Sequence, residues 1–223
     1  MSAREAIFAN IRRSLGVTGA EAPRRFEVET RLAKAPAGVV PLRGQGDVET
    51  RVATFKAEAE RAQASVADVA SLSGVPAEVA RFLRDNNCPA TLRMGSDERL
   101  AAMPWSETSL EVLCGPSDGH DLNAVSAAFA GIAETGTLAL VSGAENPTTL
   151  NFLPDNHIVA LRRDDIVADY ESAFGRLRTA YGKGGAPRTL NLITGPSRSG
   201  DIEQTLLLGA HGPRRLHIIV VAG

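Results

Sequence analysis

Gly131-Ile132-Ala133-Glu134-Thr135-Gly136-Thr137-Leu138-Ala139-Leu140 is a polar turn that runs straight into an apolar segment. A strand entered from such a turn carries hydroxyls, a carboxylate and backbone N–H groups at its mouth. In an α/β fold that is a common place for a ligand. Glu134 is the one ionisable side chain between Asn123 and Ser142. Gly136 can take a positive φ or let another group approach the backbone closely.

Outward from this turn the chain alternates between strand and helix patterns. Strands are predicted at 64–70, 90–94, 110–114, 121–126, 137–141, 157–161, 189–193 and 216–221. Helices are predicted at 48–63, where Val52, Phe55 and Ala59 share a face, from Pro76 to 84, and over 148–152. Residues 127–132 read as a helical turn. Asp164 and Asp165 read as the cap of a long helix carrying Ile166, Tyr170, Phe174, Leu177 and Tyr181. This alternation predicts an α/β class with a mostly parallel sheet and flanking helices, and ligands beyond the carboxyl ends of the strands.

The N-terminal part reads differently. Residues 2–14 predict a helix with a Ser2/Glu5 capping box, an Ile7, Ile11, Leu15 stripe and Gly16 as its stop. Residues 17–47 hold Pro23, Pro36 and Pro41 among several glycines and lack periodicity, which predicts an extended arm. The expected organisation is an N-terminal helix and arm over 1–47, then an α/β domain over 48–223.

With 43% hydrophobic and 22% charged residues, the composition is that of an ordinary globular protein. The 24 basic and 26 acidic residues show no basic surplus for nucleic acid. No apolar run nears the roughly 18 residues of a membrane span, and the mixed-charge N-terminus lacks a signal-like core, so a cytoplasmic chain is expected. Cys88 and Cys114 stand alone with no C-x-x-C pair, so no iron–sulfur cluster or structural zinc held by this chain is expected.

Two further polar turns follow apolar runs or precede them. Gly195-Pro-Ser-Arg-Ser-Gly-Asp-Ile-Glu203 offers Ser197 and Arg198 to a phosphate or carboxylate. Asp201 and Glu203 either complement a helix dipole or, on a strand, share a face where they hold a metal or a proton. Gly209-Ala-His-Gly-Pro213 presents His211 between glycines, suited to proton exchange. His157 opens an apolar strand and can face the same cleft, whereas His217 reads as a satisfied core histidine. If the three turns meet, Glu134 and His211 are the candidate catalytic groups. Thr135, Gly136, Thr137, His157, Gly195, Ser197, Arg198, Asp201, Glu203 and Gly212 are then the candidate ligand-binding residues. No Walker A loop, G-x-G-x-x-G or G-x-S-x-G is present.

Gly131-Ile-Ala-Glu-Thr-Gly-Thr137, Gly195-Pro-Ser-x-x-x-Asp-Ile-Glu203 and Gly209-x-His-Gly-Pro213, in this order, resemble the lactate-utilization protein C family of LUD-domain proteins. The resemblance covers nearly the whole chain. It implies a fold like that of glucosamine-phosphate deaminase, ribose-phosphate isomerase and the CoA transferases. The Ala-Glu-Thr-Gly-Thr turn is also similar to the Asp-Thr-Gly-Thr element of formyltetrahydrofolate cyclo-ligases. It further implies a part in bacterial L-lactate oxidation to pyruvate, with iron–sulfur clusters on partner proteins and none on this chain. A small ligand bearing a carboxylate or phosphate is expected in the cleft. Two other readings stay open: a stand-alone acyl-, formyl- or phosphoryl-transfer enzyme on this fold, and a non-catalytic scaffold subunit.

Overall fold

The computed structural model describes residues 2–34, 36–182, 184–200, 206–209 and 211–223. The chain separates into two compact units, Met1–Val39 and Val40–Gly223, so the division falls at 39/40 rather than 47/48.

In the first unit, helix α1 (Ala3–Leu15) starts at the expected capping box. The Ser2 hydroxyl accepts from Glu5 N–H while the Glu5 carboxylate accepts from Ser2 N–H. Gly16 ends the helix in the left-handed conformation. A second helix, α2 (Ala22–Lys34), corrects the expectation of an extended arm. Pro23 falls in its first turn, where a proline lacks nothing the helix needs.

The second unit is built in layers around a six-stranded sheet. It begins with α3 (Val48–Arg61), which Asp47 caps by accepting from Thr50 N–H. There follow β1 (Ser65–Val69), α4 (Val75–Asp85), β2 (Thr91–Met94), α5 (Glu98–Ala101), β3 (Glu111–Cys114) and β4 (Asn123–Ala127). The chain continues through β5 (Ala130–Ile132), β6 (Thr137–Ser142), α6 (Thr149–Phe152), β7 (Asn156–Arg162), β8 (Ile166–Val167) and α7 (Tyr170–Tyr181). It closes with β9 (Thr189–Ile193), β10 (Arg198–Gly200), β11 (Leu206–Leu208) and β12 (Arg215–Val221).

The main sheet runs β1-β12-β7-β4-β2-β3 and every pairing in it is parallel. Its central strands are buried on both faces, which is why they read as continuous apolar runs. Side chains alternate across it. Ile158, Ala160, Ile219 and Val221 face α4, where Val75, Val79, Phe82 and Leu83 close one core with Trp105. Val159, Leu161, Ile218 and Val220 face Phe55 and Ala59 of α3 and Leu138 and Leu140 of β6, forming the second core. His217 is a satisfied core histidine. It is stacked on Phe82, shares a hydrogen bond with the Ser65 hydroxyl at 2.8 Å and another with Glu78 at 3.0 Å.

A second sheet, β8-β5-β6-β9, is mainly antiparallel. Two expectations give way here. Residues 130–132 form β5 rather than a helical turn, because pairing with β6 and β8 overrides the helix preference of an Ala-rich segment. The long helix starts at Tyr170, not at Asp164, and Asp169 is its cap, accepting from Ser172 N–H at 2.8 Å. Ile166 and Val167 instead pair in parallel with Gly131 and Ile132.

Candidate functional site

The turns are positioned by the end of α3. Gly136 sits at φ 64°, and a Cβ there would lie 2.2 Å from the Ala59 nitrogen. Gly195 sits at φ 73°, and its Cβ would lie 2.1 Å from the Ala62 carbonyl oxygen. Both turns therefore lie flat on the last turn of the same helix, and both need glycine to do so. They touch each other as well: the Thr137 and Thr194 hydroxyls share a 2.6 Å hydrogen bond. Thr137 also bonds to Thr135 at 2.7 Å and to the Tyr170 hydroxyl at 3.1 Å. The second and third turns are joined through backbone, Ser197 N–H donating to Pro213 C=O at 2.8 Å and Gly209 N–H to Ser197 C=O at 3.0 Å.

Between the second and third turns lies a cavity of about 280 Å³. Gly195, Ser197, Arg198, His211, Gly212 and His157 all line it. Asn151, Phe152, Thr194 and Leu216 complete much of the rest. His211 and Arg198 are exposed at its rim, and Arg198 also donates to the Ala62 carbonyl at 3.2 Å. Among the described residues that line it there is no carboxylate. The cavity opens at the amino ends of the sheet, since His157 and Leu216 are the second residues of β7 and β12. The carboxyl-end expectation does not describe it.

Asn151 and His157 of its lining join Ser126, which lies behind them, in a chain of buried polar groups. His157 is about 1% exposed, and Asn151 and Ser126 are fully buried. The Ser126 hydroxyl donates to the Asn151 Oδ1 at 3.1 Å and bonds to His157 Nε2 at 3.1 Å. His157 Nδ1 and Asn151 Nδ2 are buried without a hydrogen-bond partner. Burial drives the His157 pKa down to about 3, so the ring is neutral at physiological pH. Ser126 and Asn151 were missed in the sequence, where the only sign was a serine and an asparagine set in otherwise apolar runs.

Glu134 is elsewhere. Its carboxylate is buried and accepts from the backbone N–H of Tyr170 at 3.1 Å, at the amino end of α7. A carboxylate there satisfies an orphan donor and the helix dipole. Glu134 does not line the cavity, so its expected catalytic place beside His211 gives way to a helix-capping one. Gly136 likewise serves packing, while Thr135 and Thr137 tie the first turn to α7 and to Thr194. Asp201 and Glu203 lie outside the described residues.

The capping assignment makes a prediction. Glu134→Ala is expected to cost about 1–2 kcal/mol in urea denaturation, and Glu134→Gln, which keeps an acceptor oxygen, less than half of that. An alanine variant as stable as the parent would contradict it.

A second cavity, of about 320 Å³, lies beyond the carboxyl ends of β2 and β4 and is lined by Asp97, Arg99, Ser142, Glu145 and Tyr181. Its cation is engaged: Arg99 donates to Asp97 at 3.0 and 2.6 Å and to the Ala128 carbonyl at 3.2 Å. A guanidinium already paired with Asp97 offers an anion less than the cavity between the turns does.

Residues 124–221 match the LUD domain. The chain is 33% identical over 126 residues to lactate utilization protein C of Geobacillus thermodenitrificans (strain NG80-2), covering 53% of this chain and 52% of that protein. It is 34% identical over 125 residues to lactate utilization protein C of Deinococcus radiodurans, covering 53% of this chain and 58% of that protein. The matched stretch thus spans little more than half the length of these relatives. The fold is similar to the 1.70 Å crystal structure of a DUF162 family protein from Deinococcus radiodurans, with a TM-score of 0.59, 22% identity, and coverage of 79% of this chain and 99% of that one. Among the described residues no helix is long and apolar enough to cross a membrane. The layered α/β architecture and these matches converge: residues 124–221 carry the match to the LUD domain, and lactate utilization protein C is among the proteins the chain is similar to.

Proposed function

We propose that the chain works in lactate utilization and that the cavity between the second and third turns binds a small carboxylate. The observation that carries this reading is the charge of the cavity: Arg198 and His211 stand at its rim and no described lining residue is acidic. A guanidinium at the rim of a pocket holds a carboxylate by charge-assisted hydrogen bonds. The names of the relatives supply the candidate, L-lactate. In this reading the chain is a cytoplasmic subunit of a system that oxidises L-lactate to pyruvate, the electrons passing to iron–sulfur clusters on partner proteins. Its fold belongs with that of glucosamine-phosphate deaminase, ribose-phosphate isomerase and the CoA transferases.

Isothermal titration with L-lactate tests the binding step. Arg198→Ala should weaken it about 10- to 100-fold, the value of a hydrogen bond to a charged group. Equal affinity of parent and variant would remove Arg198 from the site, and absence of heat with the parent would end the proposal. At the level of the organism, deletion of the gene should abolish growth on L-lactate.

A further inference from the structure

A third cavity, of about 410 Å³, lies where the starts of β1 and β12 meet α4. Leu216 is the one lining residue it shares with the cavity between the turns. Ser65, Arg81, Arg215 and His217 line it, and Ser65 is exposed there. Three elements converge on the His217 ring. Phe82 of α4 stacks on it with ring centroids 4.3 Å apart, which fixes its plane. Its Nε2 lies 3.0 Å from the Glu78 carboxylate and its Nδ1 lies 2.8 Å from the Ser65 hydroxyl. Burial opposes the Glu78 charge, but hydrogen bonds from Arg81 and His217 prevail and hold its pKa below the usual carboxylate value. An ionised carboxylate only accepts, so His217 Nε2 carries a proton and donates. Burial also lowers the His217 pKa, so at neutral pH the ring is uncharged and Nδ1 is a bare lone pair. The Ser65 hydroxyl therefore donates to Nδ1, and its oxygen keeps its lone pairs free. The hydroxyl is not needed to anchor β1, which already pairs with β12 over Ser65–Val69.

We propose that Ser65 is a nucleophile with His217 as its general base and Glu78 orienting that base, and that this cavity takes an ester or thioester of a small anionic acid. A hydroxyl bonded to a base that a third group orients is the arrangement nucleophilic catalysis requires. The ring is turned end for end relative to the serine proteases, Nδ1 facing the serine, and either nitrogen can take the proton. Ser65 Oγ attacks the acyl carbon while its proton passes to His217 Nδ1. Glu78 stabilises the imidazolium so formed. The bond from the acyl carbon to the leaving oxygen or sulfur then breaks, and the leaving group takes the proton from Nδ1. Water attacks the acyl-Ser65 ester by the same route, releasing the acid and restoring the serine. Arg81 is paired with Glu78 and Asp85, and Arg214 with Asp155. Arg215 donates to the neutral Asn156 Oδ1 at 3.1 Å and has no carboxylate partner among the described residues. Arg215 is thus the guanidinium left for the anionic end of the substrate.

The test treats the full chain at pH 7 with a fluorophosphonate, which an activated serine attacks at phosphorus with loss of fluoride. Peptide mass spectrometry locates the tag. Ser65 is expected to label at least about 100-fold faster in the folded protein than in the urea-unfolded chain, the lower end of what a positioned base contributes. Glu78→Gln and His217→Asn, checked for folding by thermal melting, should remove most of that advantage. Turnover is read with mono-p-nitrophenyl succinate: the parent should release nitrophenol well above the Ser65→Ala background. Arg215→Ala should raise KM about 10-fold with kcat little changed. Labelling of Ser65 no faster in the folded than in the unfolded chain would overturn the proposal, as would ester release equal in the parent and in Ser65→Ala. If a variant of Glu78 or His217 does not fold, those two comparisons still decide.

Discussion

Gly136→Ala is expected to destabilise the second unit by about 3–5 kcal/mol, the combined cost of overpacking and of a left-handed backbone at a residue with a Cβ. The added carbon would sit 2.2 Å from the Ala59 nitrogen, 2.6 Å from the Glu58 carbonyl carbon and 2.7 Å from the Ala59 Cα. All three are backbone atoms in the last turns of α3, so no side-chain rotation relieves the contact. Either the turn lifts or α3 moves, and α3 supplies Phe55 and Ala59 to the second core. The site would suffer with the fold, because Gly195 rests on the same helix at Ala62. Gly143→Ala is the control: nothing lies within 4 Å of its Cβ position, and a change within about 0.5 kcal/mol is expected at such a surface site. Urea denaturation of both variants makes the comparison. A Gly136→Ala protein as stable as the control would mean that the turn does not lie on α3 as described.

Acid should destabilise the protein before its carboxylates titrate. His157 is held neutral by burial, its pKa down at about 3, and His217 is shifted in the same direction, chiefly by burial. In the unfolded chain a histidine takes up its proton near pH 6.5. Between that value and the folded pKa the unfolded state binds a proton that the folded state refuses. Stability is therefore complete above about pH 6.5 and is lost as pH falls toward 3, with a slope of up to about 1.4 kcal/mol per pH unit for His157. From pH 7 to pH 5 the loss from His157 alone is expected to be about 2 kcal/mol. That interval lies above the ordinary carboxylate range, so Glu78 and Asp169, both lowered, contribute little within it. Urea midpoints at pH 7 and pH 5 read the effect, and His157→Asn should flatten most of it. Equal midpoints for the parent at the two pH values would contradict a neutral, buried His157.

Where the fold was legible, the reason was burial on both faces of a strand. Residues 158–161 and 218–221 are unbroken apolar runs because β7 and β12 sit in the middle of a parallel sheet. The second sheet was hidden by local signals that point the other way. Ala127 to Ala133 is rich in a helix former, and Asp164-Asp165 imitates a helix cap; the pairing of β5 with β6 and with β8 makes strands of these segments. In the N-terminal unit, prolines masked α2, although one of them falls where a helix begins. The site divides in the same way. Arg198 and His211 stand out on glycine-framed turns, and the two turns do meet. Glu134 stood out by its isolation in an apolar stretch, yet the donor that needs it is the backbone of Tyr170. Asn151 and Ser126 carry no sequence signature, since an orphan hydrogen-bonding atom exists only once the chain has folded around it.

A crystal structure of the protein soaked in L-lactate addresses the central assignment most directly. The ligand is expected in the cavity between the second and third turns, with its carboxylate against Arg198. Lactate bound instead beside Arg99 and Tyr181, or an unchanged cavity at saturating lactate, would contradict it.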